Sequence, residues 1–163
     1  ASKSRGLGDV YKRQTQLSAD GVTDDSRFFV AYYNVSANLW DWARDSYGDG
    51  TSTPYQIVVE PSTNSAYIAG YNTGSEEWNG GAFQSNPQST YAGFVVKYTD
   101  DGTFLWGQNT AGQSCFGGSC GVYFNNIIIH PDGGVVVGGN YLQTYKKQTG
   151  TVVNGQGLSL IHI

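Results

Sequence analysis

The side chains able to do chemistry in this 163-residue chain are few, and most fall in segments rich in Gly, Ser and Asn. Cys115 and Cys120 lie within Ser114-Cys115-Phe116-Gly117-Gly118-Ser119-Cys120-Gly121. A glycine-rich backbone lets two such close sulfurs meet, so a local disulfide is the expected pairing, and it suits an oxidising, extracellular setting. Two reduced small residues are the alternative, while zinc needs two further ligands that are not nearby. Asn34-Val35-Ser36 matches the N-glycosylation acceptor pattern, although an Asn in a hairpin turn needs no modification to be useful. Asp45 and Asp49-Gly50 offer oxygens to calcium, but without the spacing of a calcium-binding loop they read as solvated acids. No nucleophile elbow, phosphate-binding loop or dinucleotide fingerprint is present, so no cofactor is expected.

The two ends of the chain stand apart from the rest. Asp9-Val10-Tyr11-Lys12-Arg13-Gln14 can be encoded by GAT GTG TAT AAG AGA CAG, whose reverse complement translates as Leu158-Ser159-Leu160-Ile161-His162-Ile163. The string resembles the transposase end sequence used in short-read sequencing libraries, and Ser4-Arg5-Gly6-Leu7-Gly8 fits the adapter upstream of it. Residues 1-14 and 158-163 are therefore expected to be adapter-derived and to pack poorly, although an apolar run can pair with an open edge. The natural stretch is then 15-157, an internal piece open at both ends. Setting the ends aside lowers the basic residues from nine to five and the acidic ones from thirteen to twelve, which takes the net charge from −4 to −7. Such a surface, without a basic run, argues against electrostatic binding of nucleic acid or an anionic membrane. No segment has the unbroken apolar length of a bilayer-spanning helix. His130 becomes the only histidine, which weakens any catalysis or zinc site built on imidazole.

The elements that must position these residues repeat along the chain. Phe29-Val30-Ala31-Tyr32-Tyr33, a turn and Leu39-Trp40 return as Phe94-Val95-Val96-Lys97-Tyr98, a turn and Leu105-Trp106. Ile57-Val58-Val59-Glu60-Pro61, a turn and Ala66-Tyr67-Ile68-Ala69-Gly70 return as Ile127-Ile128-Ile129-His130-Pro131, a turn and Val135-Val136-Val137-Gly138-Gly139. Each run is rich in β-branched and aromatic residues and bounded by turn formers, so these are strands in hairpins. Several runs are apolar at three consecutive positions, which means that both faces of their sheet are covered. A stack of four-stranded antiparallel sheets does this, and the radial form of such a stack is a β-propeller. His130 occupies the place of Glu60, before the turn proline, and reads as a turn or channel-mouth residue ahead of a catalytic base.

These motifs resemble the extracellular seven-bladed β-propeller repeat family (SBBP), whose repeat has an Ile-Val strand, a Tyr-Ile-Ala-Gly strand, then Phe-Val-Val-Lys-Tyr, an Asp-Gly turn and Leu-Trp. The resemblance implies an all-β fragment of a β-propeller, about two blades' worth. It comprises a half blade over 28-42, a full blade over 55-109 and a half blade over 124-140. Two stacked sheets are expected, one complete and one composite or partial, with strand edges left unpaired. The blade at Tyr32 and Asn34-Val35-Ser36-Ala37-Asn38 has drifted from the Lys and Asp-Gly turn of the pattern.

Alternating strand direction sorts the connections by face. The turns 61-65, 131-134, 34-38 and 99-102 are short and share one face, whereas 43-54, 72-92 and 107-123 are long and share the other. Loops on rigid scaffolds carry function disproportionately, so the long-connection face is the expected binding face. It would gather Tyr47, Trp78, Phe83, Tyr91 and Phe116 with Asp45, Asp49, Glu76 and Glu77. Aromatic platforms beside acceptors suit protein or glycan recognition, and the alternative is that the rings close the ends of the core. The expected function is a non-enzymatic structural or interaction module of a secreted or surface protein, partnered by its missing blades. The rival is part of a propeller enzyme, such as a quinoprotein dehydrogenase, lyase or glycosidase, with its active site in blades outside this chain.

Overall fold

The computed structural model describes residues 26–78, 83–85, 91–110, 121–146 and 152–162, with the backbone alone for 83–85, 142–146 and 152–162. Among them the secondary structure is all strand, in eleven segments and three antiparallel sheets. The central sheet is built from β3 (Thr51–Val59), β4 (Ala66–Thr73), β7 (Ala92–Tyr98) and β8 (Phe104–Asn109), paired in that order. It coincides with the four strands expected over 55-109 and begins four residues earlier. Its turns are closed by side chains, with Thr63 Oγ1 accepting from Ser65 N at 3.2 Å and Thr99 Oγ1 from Thr103 N at 2.9 Å, and by the backbone. Asn64 takes the left-handed conformation at φ 54°, and Glu60 N donates to Ser65 O at 2.9 Å. Pro54 is tolerated because β3 is an edge strand, and a bulge at Tyr55 shifts the register just after it.

The bulge accounts for a glycine of the repeat. Gly70 faces Pro54 beside Tyr55, and Gly139 faces Phe124 beside the equivalent bulge at Asn125. A Cβ on Gly70 would meet Thr53 O at 2.1 Å, and one on Gly139 would meet Tyr123 O at 1.8 Å. Backbone crowding at the bulge therefore demands glycine on the facing strand.

The first sheet pairs β1 (Phe29–Asn34) with β2 (Leu39–Gly48), then β5 (Glu76–Trp78) and β6 (Phe83–Ser85). The third pairs β9 (Gly121–Ile129), β10 (Val135–Lys146) and β11 (Val152–His162). The central sheet is apolar on both faces. Ala66, Ile68, Phe94, Val96 and Tyr98 pack with Phe28, Val30, Trp42 and Trp78 on one side. Tyr67, Ala69 and Val95 pack with Phe124, Ile127, Val135 and Val137 on the other. Consecutive apolar residues in β4 and β7 thus serve alternate cores, as expected of a sheet covered on both faces.

Two sequence expectations need correction. There are three sheets, two of them four-stranded, where two were expected, because connection 72-92 contributes β5 and β6 to the first sheet and β11 completes a third. Connection 43-54 is not long: β2 runs on to Gly48 and β3 begins at Thr51, leaving Asp49 and Gly50 between them. That corner is tight because Asp49 Oδ1 accepts from Ser75 N at 2.8 Å and Asp49 N donates to Ser75 O at 3.0 Å. The terminal run pairs along β10 from Lys146↔Val152 to Val136↔His162 without interruption at residue 158, the edge pairing that the expectation for this run allowed. An open edge accepts any β-prone run.

Candidate functional site

Four tyrosines meet at the long-connection end, between the central and third sheets. Tyr71 is their hub, with ring centroids 5.6 Å from Tyr55, 5.5 Å from Tyr91 and 4.9 Å from Tyr123. Tyr91 and Tyr123 lie 4.8 Å apart. The fold positions each ring. Tyr71 continues the face of β4 that carries Tyr67 and Ala69, the bulge turns Tyr55 toward it, and a parallel bridge from Tyr91 to Gly121 ties the mouth of β7 to β9. Val122 N donates to Tyr91 O at 3.3 Å, which holds that ring beside Tyr123. Tyr55 is 52% exposed, and the other three are half-buried. The result is a cluster of phenols with one flank open.

Mutual crowding alters their acidity. Burial, reinforced by the neighbouring Tyr91, Tyr71 and Tyr55, pushes Tyr123 up to about 12 from an ordinary 10.0. Burial and then Tyr71 push Tyr55 upward as well. A phenol whose acidity is weaker in the folded state stabilises below the unfolded value and loses that contribution as pH rises through the folded one. Ultraviolet titration of phenolate is therefore expected to find a late-ionising tyrosine, and folding stability is expected to fall from about pH 10 to about pH 12. A Tyr123→Phe variant should lose the step near pH 12 and keep the still later ionisation of Tyr98, which burial in the core pushes up further.

Of the candidate residues, Tyr91 alone is seen to join this cluster. Trp78 and Glu76 do not belong to a binding surface: they are 0% and 2% exposed, because β5 turns both inward while Glu77 between them faces out. Trp78 lies 5.2 Å from Phe94 in the core. Tyr47 pairs directly with Glu77 across β2 and β5, and Arg27 stands 5.0 Å over its ring, so these form a separate exposed group on the first sheet. Asp45 lies opposite Phe29 in the β1–β2 ladder, and Asp49 is the corner acceptor already described. Phe116, Cys115 and Cys120 lie outside the described residues, as does the side chain of Phe83. Asn34 donates to Asp41 Oδ2 at 3.0 Å and accepts from Ala37 N at 3.0 Å, so its amide organises the turn. Sequence reasoning missed Tyr55, Tyr71 and Tyr123. Pro54 and the repeated glycine, which imply a bulge, were the available signal.

A second feature lies at the short-turn end. A cleft of about 710 Å³ opens between the first and central sheets, with Val30, Tyr32 and Trp42 on one wall and Ile57, Val59 and Ala66 on the other. Asp41, Asp100 and Asp101 also line it, without a Lys or Arg. Trp42 Nε1 donates to Asp100 O at 2.7 Å, which clamps the β7–β8 turn to the first sheet. The hydroxyl of Thr99 and the amide and hydroxyl of Thr103 hold the Asp101 carboxyl below its usual range. Glu60, lowered first by Thr63 and then by Lys97, binds Lys97 Nζ at 3.5 Å. His130 Nδ1 accepts from Asp132 N at 3.3 Å within its turn. Among the described residues no group of three or more His, Cys, Asp or Glu is arranged to hold a metal. No protein-family model, curated protein or solved structure matches this chain.

Proposed function

We propose that the chain is a non-enzymatic interaction module, part of a secreted or surface β-propeller, that binds a protein or glycan ligand on its long-connection face. The tyrosine cluster carries the reading. Clustered rings give large apolar contact with little rotamer entropy to lose, and their hydroxyls supply donors and acceptors at the rim. The stacked antiparallel sheets, two of them four-stranded, and the repeat that relates β1–β2 to β7–β8 and β3–β4 to β9–β10 support propeller architecture. The Cys115–Cys120 disulfide and an extracellular setting belong to the same proposal.

The test is a labelled full-length chain on a glycan array, with protein cross-linking from an extracellular extract as a parallel arm. A Tyr55→Ala, Tyr91→Ala double variant is expected to lose at least tenfold of whatever binding is found, since central aromatic anchors typically contribute about 2 kcal/mol or more. Its melting temperature should change little compared with its binding. A Tyr47→Ala variant should bind normally. Binding that survives the double variant and is lost on substitution in the turns 61-65 or 99-102 would reverse the assignment of the face.

A further inference from the structure

The repeat compares two strands that ought to have the same surroundings. β1 and β2 correspond to β7 and β8, and β7 is hydrogen-bonded on both edges, to β8 and to β4. Among the described strands β1 is bonded on one edge only, to β2. Phe28 O accepts from Ser46 N at 3.0 Å on the β2 side. Backbone polarity alternates along a strand, so Phe29 and Ala31 direct their N–H and C=O groups to the open edge.

The facing wall carries the same signature. Ile57 of β3 is 51% exposed, whereas its counterpart Ile127 of β9 is 0% exposed. Ile127 is covered because the preceding sheet lays Tyr67 and Ala69 of β4 against it. Ile57 and Val59, the latter 53% exposed, have no such strand over them among the described residues and line the cleft beside β1. The edge needs a hydrogen-bonding partner and the wall needs apolar cover, and one strand lying between them supplies both.

We propose that this cleft receives an extended segment of β4 chemistry, added antiparallel to the edge of β1 that no described strand occupies. The register follows from the repeat. β4 pairs Ile68 with Val96 and Ala69 with Val95, so the incoming strand sets an aliphatic residue opposite Ala31 and a small one opposite Val30. Its N-terminal end reaches the short-turn side, where Asp41, Asp100 and Asp101 favour an amino terminus or a basic residue. This is strand addition to a sheet edge, in which main-chain bonds give affinity and alternate side chains give selectivity. It is independent of the tyrosine face.

The probe is a synthetic peptide of the chain's own residues 65-72, titrated into the full-length protein by fluorescence anisotropy. Two further peptides carry N-methyl groups on alternate residues, one set for each face of the peptide backbone. One set is expected to lose at least tenfold, about one hydrogen bond's contribution or more, and the other to bind nearly as the parent does. Ala31→Pro removes an edge-facing N–H at a position where proline is compatible with an edge strand, and should weaken the parent peptide by a similar factor with the fold retained. Equal loss from both methylated sets would mean apolar docking without strand addition and would overturn the proposal. So would an absence of binding by the parent peptide, with or without amide protection at Phe29 and Ala31 in the protein alone.

Discussion

Trp78→Ala is expected to destabilise the protein by about 3–5 kcal/mol, the range for truncating a large aromatic in a packed core. The indole is fully buried against Phe94, in the cluster that joins the first sheet to the central one. Its loss removes contacts on both sheets at once. The cavity cannot collapse easily, because Ile68 and Val96 are themselves held by strand pairing on both edges. Trp40→Ala serves as the control: that ring is exposed on the first sheet and loses only its edge contact with Tyr33, so its truncation should cost no more than about 1.5 kcal/mol. Equilibrium denaturation in urea distinguishes them, with the midpoint shifting strongly for Trp78 alone. A stable Trp78→Ala variant with weakened ligand binding would instead restore Trp78 to the recognition surface.

Gly102→Ala is expected to cost about 2–5 kcal/mol, the sum of two separable effects. The residue sits at φ +78°, where an L side chain costs about 1–2 kcal/mol. A Cβ there would also stand 2.6 Å from Trp42 Cδ2, inside the clamp formed by Trp42 Nε1 and Asp100 O. Overfilling a packed contact adds about 1–3 kcal/mol. Gly133 provides the comparison. It has φ +89° in the β9–β10 turn with nothing within 4 Å of an added Cβ, so Gly133→Ala bears the conformational part alone. The difference between the two variants measures the contact between the β7–β8 turn and the first sheet. Equal destabilisation would mean that Trp42 does not press on the turn.

The central sheet was legible because its information is local. Ile57-Val58-Val59, Tyr67-Ile68-Ala69 and Phe94-Val95-Val96 are short β-branched and aromatic runs, each closed by a turn whose Asn, Asp or Gly enforces reversal. The apolar runs of β4 and β7 signalled two covered faces correctly, whereas in Ile57-Val58-Val59 the residues Ile57 and Val59 are more than half exposed, so that run did not. What escaped was determined at a distance. Glu76-Glu77-Trp78 has no β-rich character of its own and becomes a strand because the end of β2 pairs with it at Ser46, Tyr47 and Gly48. Once that pairing exists, alternation decides that Trp78 enters the core and Glu77 does not. The Asp49-Gly50 corner read as a loop because its closure depends on Ser75, far along the chain. The tyrosine cluster needed both the bulge at Tyr55 and the stacking of β9 against β4, and neither partner is near the other in sequence.

Amide hydrogen exchange on the full-length chain tests the stacked arrangement on which both the tyrosine face and the cleft depend. β4 and β7 are paired on both edges and covered on both faces, so their amides from Ala66 to Asn72 and from Phe94 to Tyr98 should exchange slowest, by global unfolding. In the same experiment Phe29 and Ala31 should exchange orders of magnitude faster than Val30, whose amide faces β2. Slow exchange confined to β1 and β2, or a β4 no better protected than the turns, would contradict the central sheet and with it the placement of every site described.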